Sequence, residues 1–171
     1  SEFTIETGIT PTPKLLQSLV QTGFLGAQNA KPMQLTISSD LVDYGPITPT
    51  NPIKRHLSLF VDAGASQGYV LFTFENHPLA FAENIIPDTS CDDGSCSEKA
   101  PSIWINPFTF GLGFSFDDVL YQQFPDVSKN EPMVIIPSGK MTIKLNVNQT
   151  QPLPSDKHYE HTITFLAVPK F

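Results

Sequence analysis

Between Lys140 and Val147 the chain reads KMTIKLNV, and no other stretch restricts the fold as tightly. Met141, Ile143, Leu145 and Val147 alternate with Lys140, Thr142, Lys144 and Asn146. Successive side chains of a strand point to opposite faces, so the run predicts a strand with one dry and one wet face. A second run, HYEHTITFLAV over His158–Val168, is rich in the β-branched and aromatic residues that suit a pleated surface. Tyr159, His161, Ile163, Phe165 and Ala167 share one of its faces. The connector between the runs, NQTQPLPSDK, is longer than the about two to five residues usual in a hairpin. That length favours placing the two strands in opposite sheets, and it makes the connector a secondary candidate for a recognition loop.

The rest of the chain repeats this punctuation on a shorter scale. Sixteen prolines and ten glycines break it at short intervals, which favours many short strands over long helices. Met33, Leu35 and Ile37 alternate within Lys31–Ser39. His56–Asp62 and Gly68–Glu75 flank AGASQG and predict a hairpin, and the almost wholly apolar GYVLFTFE predicts a central strand covered on both sides. A short strand is expected near Leu79–Ala82, another strand or a helical turn over Val119–Phe124, and a further strand at Met133–Ile136. In SIWINPFTFGLGFSF (Ser102–Phe116), Phe108, Phe110, Leu112, Phe114 and Phe116 fall on alternate positions. Five large apolar residues on one face require a facing sheet to cover them.

One helix is expected, over about residues 13–22 within an N-terminal extension of residues 1–30. Thr12 and Pro13 cap it, Leu15, Leu16, Leu19 and Val20 keep helical spacing, and Gly23 ends it. The predicted fold is therefore an all-β, antiparallel β-sandwich of about eight to ten strands, forming a single domain over residues 1–171. An immunoglobulin-like or Greek-key arrangement is one topology within that class. It rests on strand count and alternation alone, since the two cysteines lack the long-range Cys…Trp…Cys arrangement.

Composition removes several functions. The net charge is −7 and Arg55 is the only arginine, so the clustered cations that replace counterions on phosphates are missing and nucleic acid is not an expected partner. No apolar run approaches the about 20 residues of a spanning helix, so no membrane span is expected. The chain opens on Ser1-Glu2-Phe3, as at a cloning scar or the start of a mature segment from which any signal peptide is already gone.

Cys91 and Cys96 sit in DTSCDDGSCSEK, with Gly94 to turn the chain between them. Surface thiols oxidise, and zinc would need two further ligands nearby, so a disulfide and an extracellular or periplasmic location are expected. Closing so small a loop contributes about 2 kcal/mol in the entropy model, enough to pin a loop rather than hold a fold. Asp88, Asp92, Asp93 and Glu98 crowd this loop and offer hard oxygens that suit calcium, although their spacing matches no helix-loop-helix calcium motif; the plain alternative is a solvated acidic tip. Gly111 and Gly113 leave one strand face bare, which packing explains by a neighbouring aromatic laid over them and function explains by a shallow groove. Trp104 is a core aromatic or, with Tyr69, Tyr121 and Phe60, a plate for a sugar. His158 and His161 stand three apart, a spacing that aims them to opposite faces of a strand and keeps them off one metal.

The familiar catalytic motifs are absent: there is no G-x-S-x-G, no H-E-x-x-H and no G-x-G-x-x-G opening a helix. The reading that follows is a non-enzymatic binding module of a secreted or cell-surface protein, recognising a protein or glycan through loops of the sandwich and needing no cofactor. The binding candidates are Asp88, Asp92, Asp93, Glu98, Trp104, Gly111 and Gly113. The alternatives are a carbohydrate-active or hydrolytic domain whose acidic residues converge only in space, and a subunit of an extracellular assembly.

Overall fold

Strands account for nearly all the regular structure in the computed structural model, which describes residues 2–8, 30–47, 51–147 and 157–171. In chain order the strands are β1 (Glu2–Gly8), β2 (Gln34–Ile37), β3 (Leu41–Asp43), β4 (Ile53–Asp62) and β5 (Tyr69–Glu75). Then come β6 (Leu79–Phe81), β7 (Asn84–Ile86), β8 (Ser102–Ile103), β9 (Gly111–Ser115) and β10 (Leu120–Tyr121). A 3-10 turn at Val127–Lys129 precedes β11 (Val134–Ile136), β12 (Gly139–Asn146) and β13 (Glu160–Pro169). The thirteen strands among the described residues exceed the expected number because six of them are ladders of only two or three residues. The expected helix over 13–22 and the connector up to residue 156 lie outside the described residues.

Two sheets face each other. The first runs β11-β5-β13-β1-β3, with β6 paired to β13 and to β7; the second runs β2-β4-β12-β9. β1 and β3 are parallel, and the other strand pairs are antiparallel. The two runs on which the sequence reading rests are β12 and β13, each in the interior of its own sheet and in opposite sheets. Their dry faces meet across the core: Met141, Ile143 and Leu145 from β12, and Ile163, Phe165 and Ala167 from β13. Leu57 and Leu59 of β4, Leu112 and Phe114 of β9, and Leu71 of β5 complete it. Arg55 closes one end of the stack, its guanidinium donating to the carbonyls of Asp43 (2.6 Å) and Tyr44 (3.0 Å). The lone arginine is thus a tie between β4 and the chain leaving β3.

Three sequence expectations need correction. The stretches flanking AGASQG do not form a hairpin: β4 pairs with β2 and β12, whereas β5 pairs with β13 and β11, so the turn carries the chain from one sheet to the other. The two apolar faces meet across the core instead of side by side. The five-residue aromatic alternation also breaks, because the strand spans only Gly111–Ser115 and Phe108 stands 83% exposed on a turn after Pro107. Last, the wet face of KMTIKLNV is wet only at Lys140. Thr142, Lys144 and Asn146 are each only 4% exposed, because the chain between Asp88 and Gln123 folds over the outside of the second sheet.

Candidate functional site

That covering layer is a corner with a small core of its own, made of Cys91, Cys96, Trp104 and Tyr121. The cysteines are joined by a disulfide with their Cα atoms 5.6 Å apart, and both are buried rather than set on an exposed tip. Trp104 meets the Tyr121 ring edge-on at 5.3 Å between centroids. β8 and β10 pair beside the disulfide, with Ile103 opposite Leu120.

The polar face of β12 clasps this corner. Lys144 Nζ donates to the Trp104 carbonyl at 2.8 Å and lies 4.3 Å from the centroid of the Trp104 ring. Asn146 donates to the carbonyls of Pro107 and Thr109, each at 2.6 Å. Burial makes the charged form of Lys144 costly and, with the nearby Lys54 charge, lowers its pKa to about 8. The bare glycine strand is the seat of the corner. A Cβ on Gly111 would come within 2.6 Å of the Thr89 backbone, and one on Gly113 within 2.8 Å of the Thr89 methyl and 3.4 Å of the Trp104 ring. Gly111 and Gly113 are fully covered, and Trp104, only 1% exposed, is part of what covers them.

The acidic residues of the cysteine loop serve the loop. Asp92 accepts the N–H groups of Ile105 (2.8 Å) and Asn106 (3.0 Å) and the Thr109 hydroxyl (2.8 Å). Desolvation works against its ionisation, but these bonds prevail and hold its carboxyl below the usual range. Asp93 is held low chiefly by Ser95, whose N–H and hydroxyl it accepts, and further by the Ser102 hydroxyl. Asp117 accepts the N–H groups of Val119 and Leu120, and Asp118 pairs with Lys54 at 2.9 Å and with the Tyr121 hydroxyl. Each carboxylate is therefore used as a turn cap or a tie. Among the described residues no three His, Cys, Asp or Glu side chains are arranged to hold a metal ion.

Beside exposed Asp92, Asp93, Lys99, Asp117 and Asp118, the corner shows solvent a set of large apolar side chains. Ile103, Ile105, Phe108, Val119 and Leu120 are exposed, with Ile105 at 71% and Phe108 at 83%. Phe108 is not on a loose loop: its N–H donates to Asn106 Oδ1 at 2.9 Å, and the Thr109 N–H donates to the Asn106 carbonyl. The Asn-Pro-Phe turn holds the ring outward.

Asp88 lies apart from the other loop acids, at the neck of the corner. The neck is tied to β9 by the Thr89 N–H to the Leu112 carbonyl (2.8 Å) and the Leu112 N–H to the Pro87 carbonyl (3.0 Å). On the outgoing side Phe114 and Gln122 exchange two backbone bonds, and the Glu75 N–H donates to the Pro125 carbonyl at 2.8 Å. Glu75 is completely buried, and its Oε2 lies 2.7 Å from Nδ1 of the equally buried His161. Burial, then the charges of Asp88 and Asp126, push the Glu75 carboxyl up to about 10. Burial, with the nearby His77, lowers His161 to about 3. Both shifts favour neutral forms, so the contact is a hydrogen bond between a carboxylic acid and a neutral imidazole. Asp126 stays ionised: its Oδ1 accepts the Ser128 N–H and hydroxyl, and its Oδ2 lies 3.2 Å from Lys129 Nζ. Glu131 accepts the Asp126 N–H at 2.8 Å. Glu98 contributes its charge to the surroundings of Asp88 and its backbone carbonyl to Gln122.

The structure thus gathers Asp92, Asp93, Trp104, Gly111 and Gly113 in one corner, with Glu98 and Asp88 toward its neck. His161 meets Glu75, 86 residues away in sequence. Sequence reasoning missed Glu75, Asp126, Lys144 and the apolar rim. One signal was legible: Glu75 is a charged residue ending a strand otherwise read as buried on both sides. No protein-family model, no curated protein and no solved structure matches the chain.

Proposed function

We propose that this chain is a non-enzymatic binding module of a secreted or cell-surface protein, and that it recognises a protein partner with the disulfide-pinned corner. The observation that carries this reading is the exposed apolar rim of Ile103, Ile105, Phe108, Val119 and Leu120 on a well-bonded corner. Large apolar side chains held outward by ordered backbone lose little entropy on binding, which is how anchor residues act at the centres of interfaces. A protein fits this rim better than a glycan, because Trp104 is buried and offers no open ring face for a sugar. The disulfide supports an oxidising compartment. The Glu75–His161 pair has the chemistry of an acid–base dyad, but both side chains have no exposed surface, so a substrate does not reach it.

The test is a screen of the immobilised module against extracellular proteins and a glycan array, repeated with Ile105→Ser/Phe108→Ser. Protein binding that weakens by at least about tenfold in the double variant, at unchanged melting temperature, supports the reading. Turnover of a hydrolase substrate, or binding indifferent to both substitutions, overturns it.

A second reading, a subunit of an extracellular assembly, draws on a different surface. Ile135 lies opposite Phe72, and Phe72 opposite Leu166, with Val70 opposite Val168, on the outer face of the first sheet. Ile135 is 68% exposed there. Concentration-dependent mass in light scattering, abolished by Ile135→Lys, would favour this reading over the first.

A further inference from the structure

The neck of the corner is where four separate elements bring ionisable groups together around the buried Glu75, Asp126 and His161. β5 supplies Glu75, β13 supplies His161, and the incoming chain supplies Asp88; the 3-10 turn with its flanks supplies Asp126, Lys129 and Glu131. Glu98 from the cysteine loop and His77 from the turn after β5 face the same cluster. Against the carboxyl groups of Glu75, Asp88, Glu98, Asp126 and Glu131 stands the Lys129 ammonium. Glu75 Oε1 and Asp88 Oδ1 are buried without a hydrogen-bond partner, so no donor is in place at either oxygen to stabilise a carboxylate charge. The backbone bonds of this same cluster close the corner onto the first sheet, through the Glu75 N–H to Pro125 and the bridge from Glu75 to Asp126.

We infer that the buried acids at the neck form a pH-dependent clasp: protonated, they hold the corner against the first sheet, and their ionisation at alkaline pH releases it. The inference rests on reading the corner as the binding surface, whose presentation the clasp would regulate.

The sign follows from the carboxyl groups. In an opened neck Glu75 and Asp88 return toward their ordinary values of 4.5 and 3.8, whereas closed they sit near 10 and 7. Between those limits opening releases protons, so rising pH favours it. His161 opposes this only in acid: lowered from 6.5 to about 3 when closed, it takes up a proton on opening below its ordinary value. From about pH 7 to about pH 9 the Glu75 carboxyl dominates, and each proton released makes opening up to about tenfold more favourable per pH unit.

The experiment is amide hydrogen exchange across that range on the intact chain, corrected for the intrinsic rate and needing no partner. The opening constants of the Glu75, Thr89 and Leu112 amides are expected to rise by close to about tenfold per pH unit, while amides of the β4–β12 ladder stay level. Glu75→Gln keeps a neutral partner for His161 and should flatten the neck profile. Asp88→Asn removes a neighbouring negative charge and should move the end of the slope to lower pH, which serves if Glu75→Gln does not fold. A level neck profile in the wild-type chain, or a slope untouched in the variants, overturns the clasp. The result is separable from the binding reading: a level profile leaves the rim variants to be judged by binding alone, and a sloped profile with no binding removes the recognition role while keeping the clasp.

Discussion

The two sheets treat their outer faces in opposite ways. The second sheet turns outward Lys54, His56, Thr142, Lys144 and Asn146, the kind of face expected in water; it leaves the β4 residues exposed and buries Thr142, Lys144 and Asn146 of β12 under a disulfide-pinned corner. The first turns outward Val70, Phe72, Phe74, Leu166 and Val168, the kind expected in a core, and leaves it half-buried to exposed. Polarity alone therefore does not say which face meets solvent. On the second sheet the polar groups have a geometric task, since an ammonium and an amide reach carbonyls of the chain above that an apolar face could not satisfy. The glycines of β9 then let that chain come down to contact distance. On the first sheet no such clasp exists among the described residues, and the apolar face resembles a surface awaiting contact.

Substitutions can break this contrast, and they rank by how much each face carries. Trp104→Ala should be the most damaging, about 3–5 kcal/mol in chemical denaturation, because it empties the corner core and strips the lid from Gly113. Gly111→Ala should follow at about 3 kcal/mol, from a Cβ driven into the Thr89 backbone and a φ of +124° that side chains rarely adopt. A loss below about 1 kcal/mol there would mean that the corner is loosely seated. On the open face of the first sheet, Ile135→Ser should cost less than about 1 kcal/mol, as its side chain is mostly exposed. Phe108→Ser should be smallest, within about 0.5 kcal/mol in the same assay, while removing partner binding. A large stability loss at Phe108 would identify it as a packing residue and undo its role as an anchor.

Much of this architecture could be read from residue order, and the limits have physical causes. Alternation identified the dry faces of β12 and β13, and the long connector pointed to opposite sheets. The disulfide followed from two close cysteines without other ligands. Alternation reports which residues share a face, however, and not what lies over that face, so the covered polar side of β12 was invisible. The Phe108–Phe116 run misled because Pro107 and the Asn106 cap end the periodicity before the strand begins. AGASQG misled because a short turn joins facing sheets as readily as neighbouring strands. The acidic loop residues were located correctly in the chain, but their work as caps depends on partners up to 17 residues away. Glu75 and His161 meet only once both sheets and the neck are assembled.

Lys144 gives the corner a chemical clock. Among the described lysines it is the one sealed beneath Trp104 and Tyr121, and while it is covered its lowered pKa leaves much of it as the free amine near pH 8. Lifting the corner exposes it but also removes the burial that lowers its pKa, so the amine returns toward the ordinary value of 10.5 and both access and protonation hold back its acylation. Mass spectrometry of a slow amine label would find Lys144 the last modified of the described lysines, at a pace proportional to the fraction of time the corner stands lifted from its sheet.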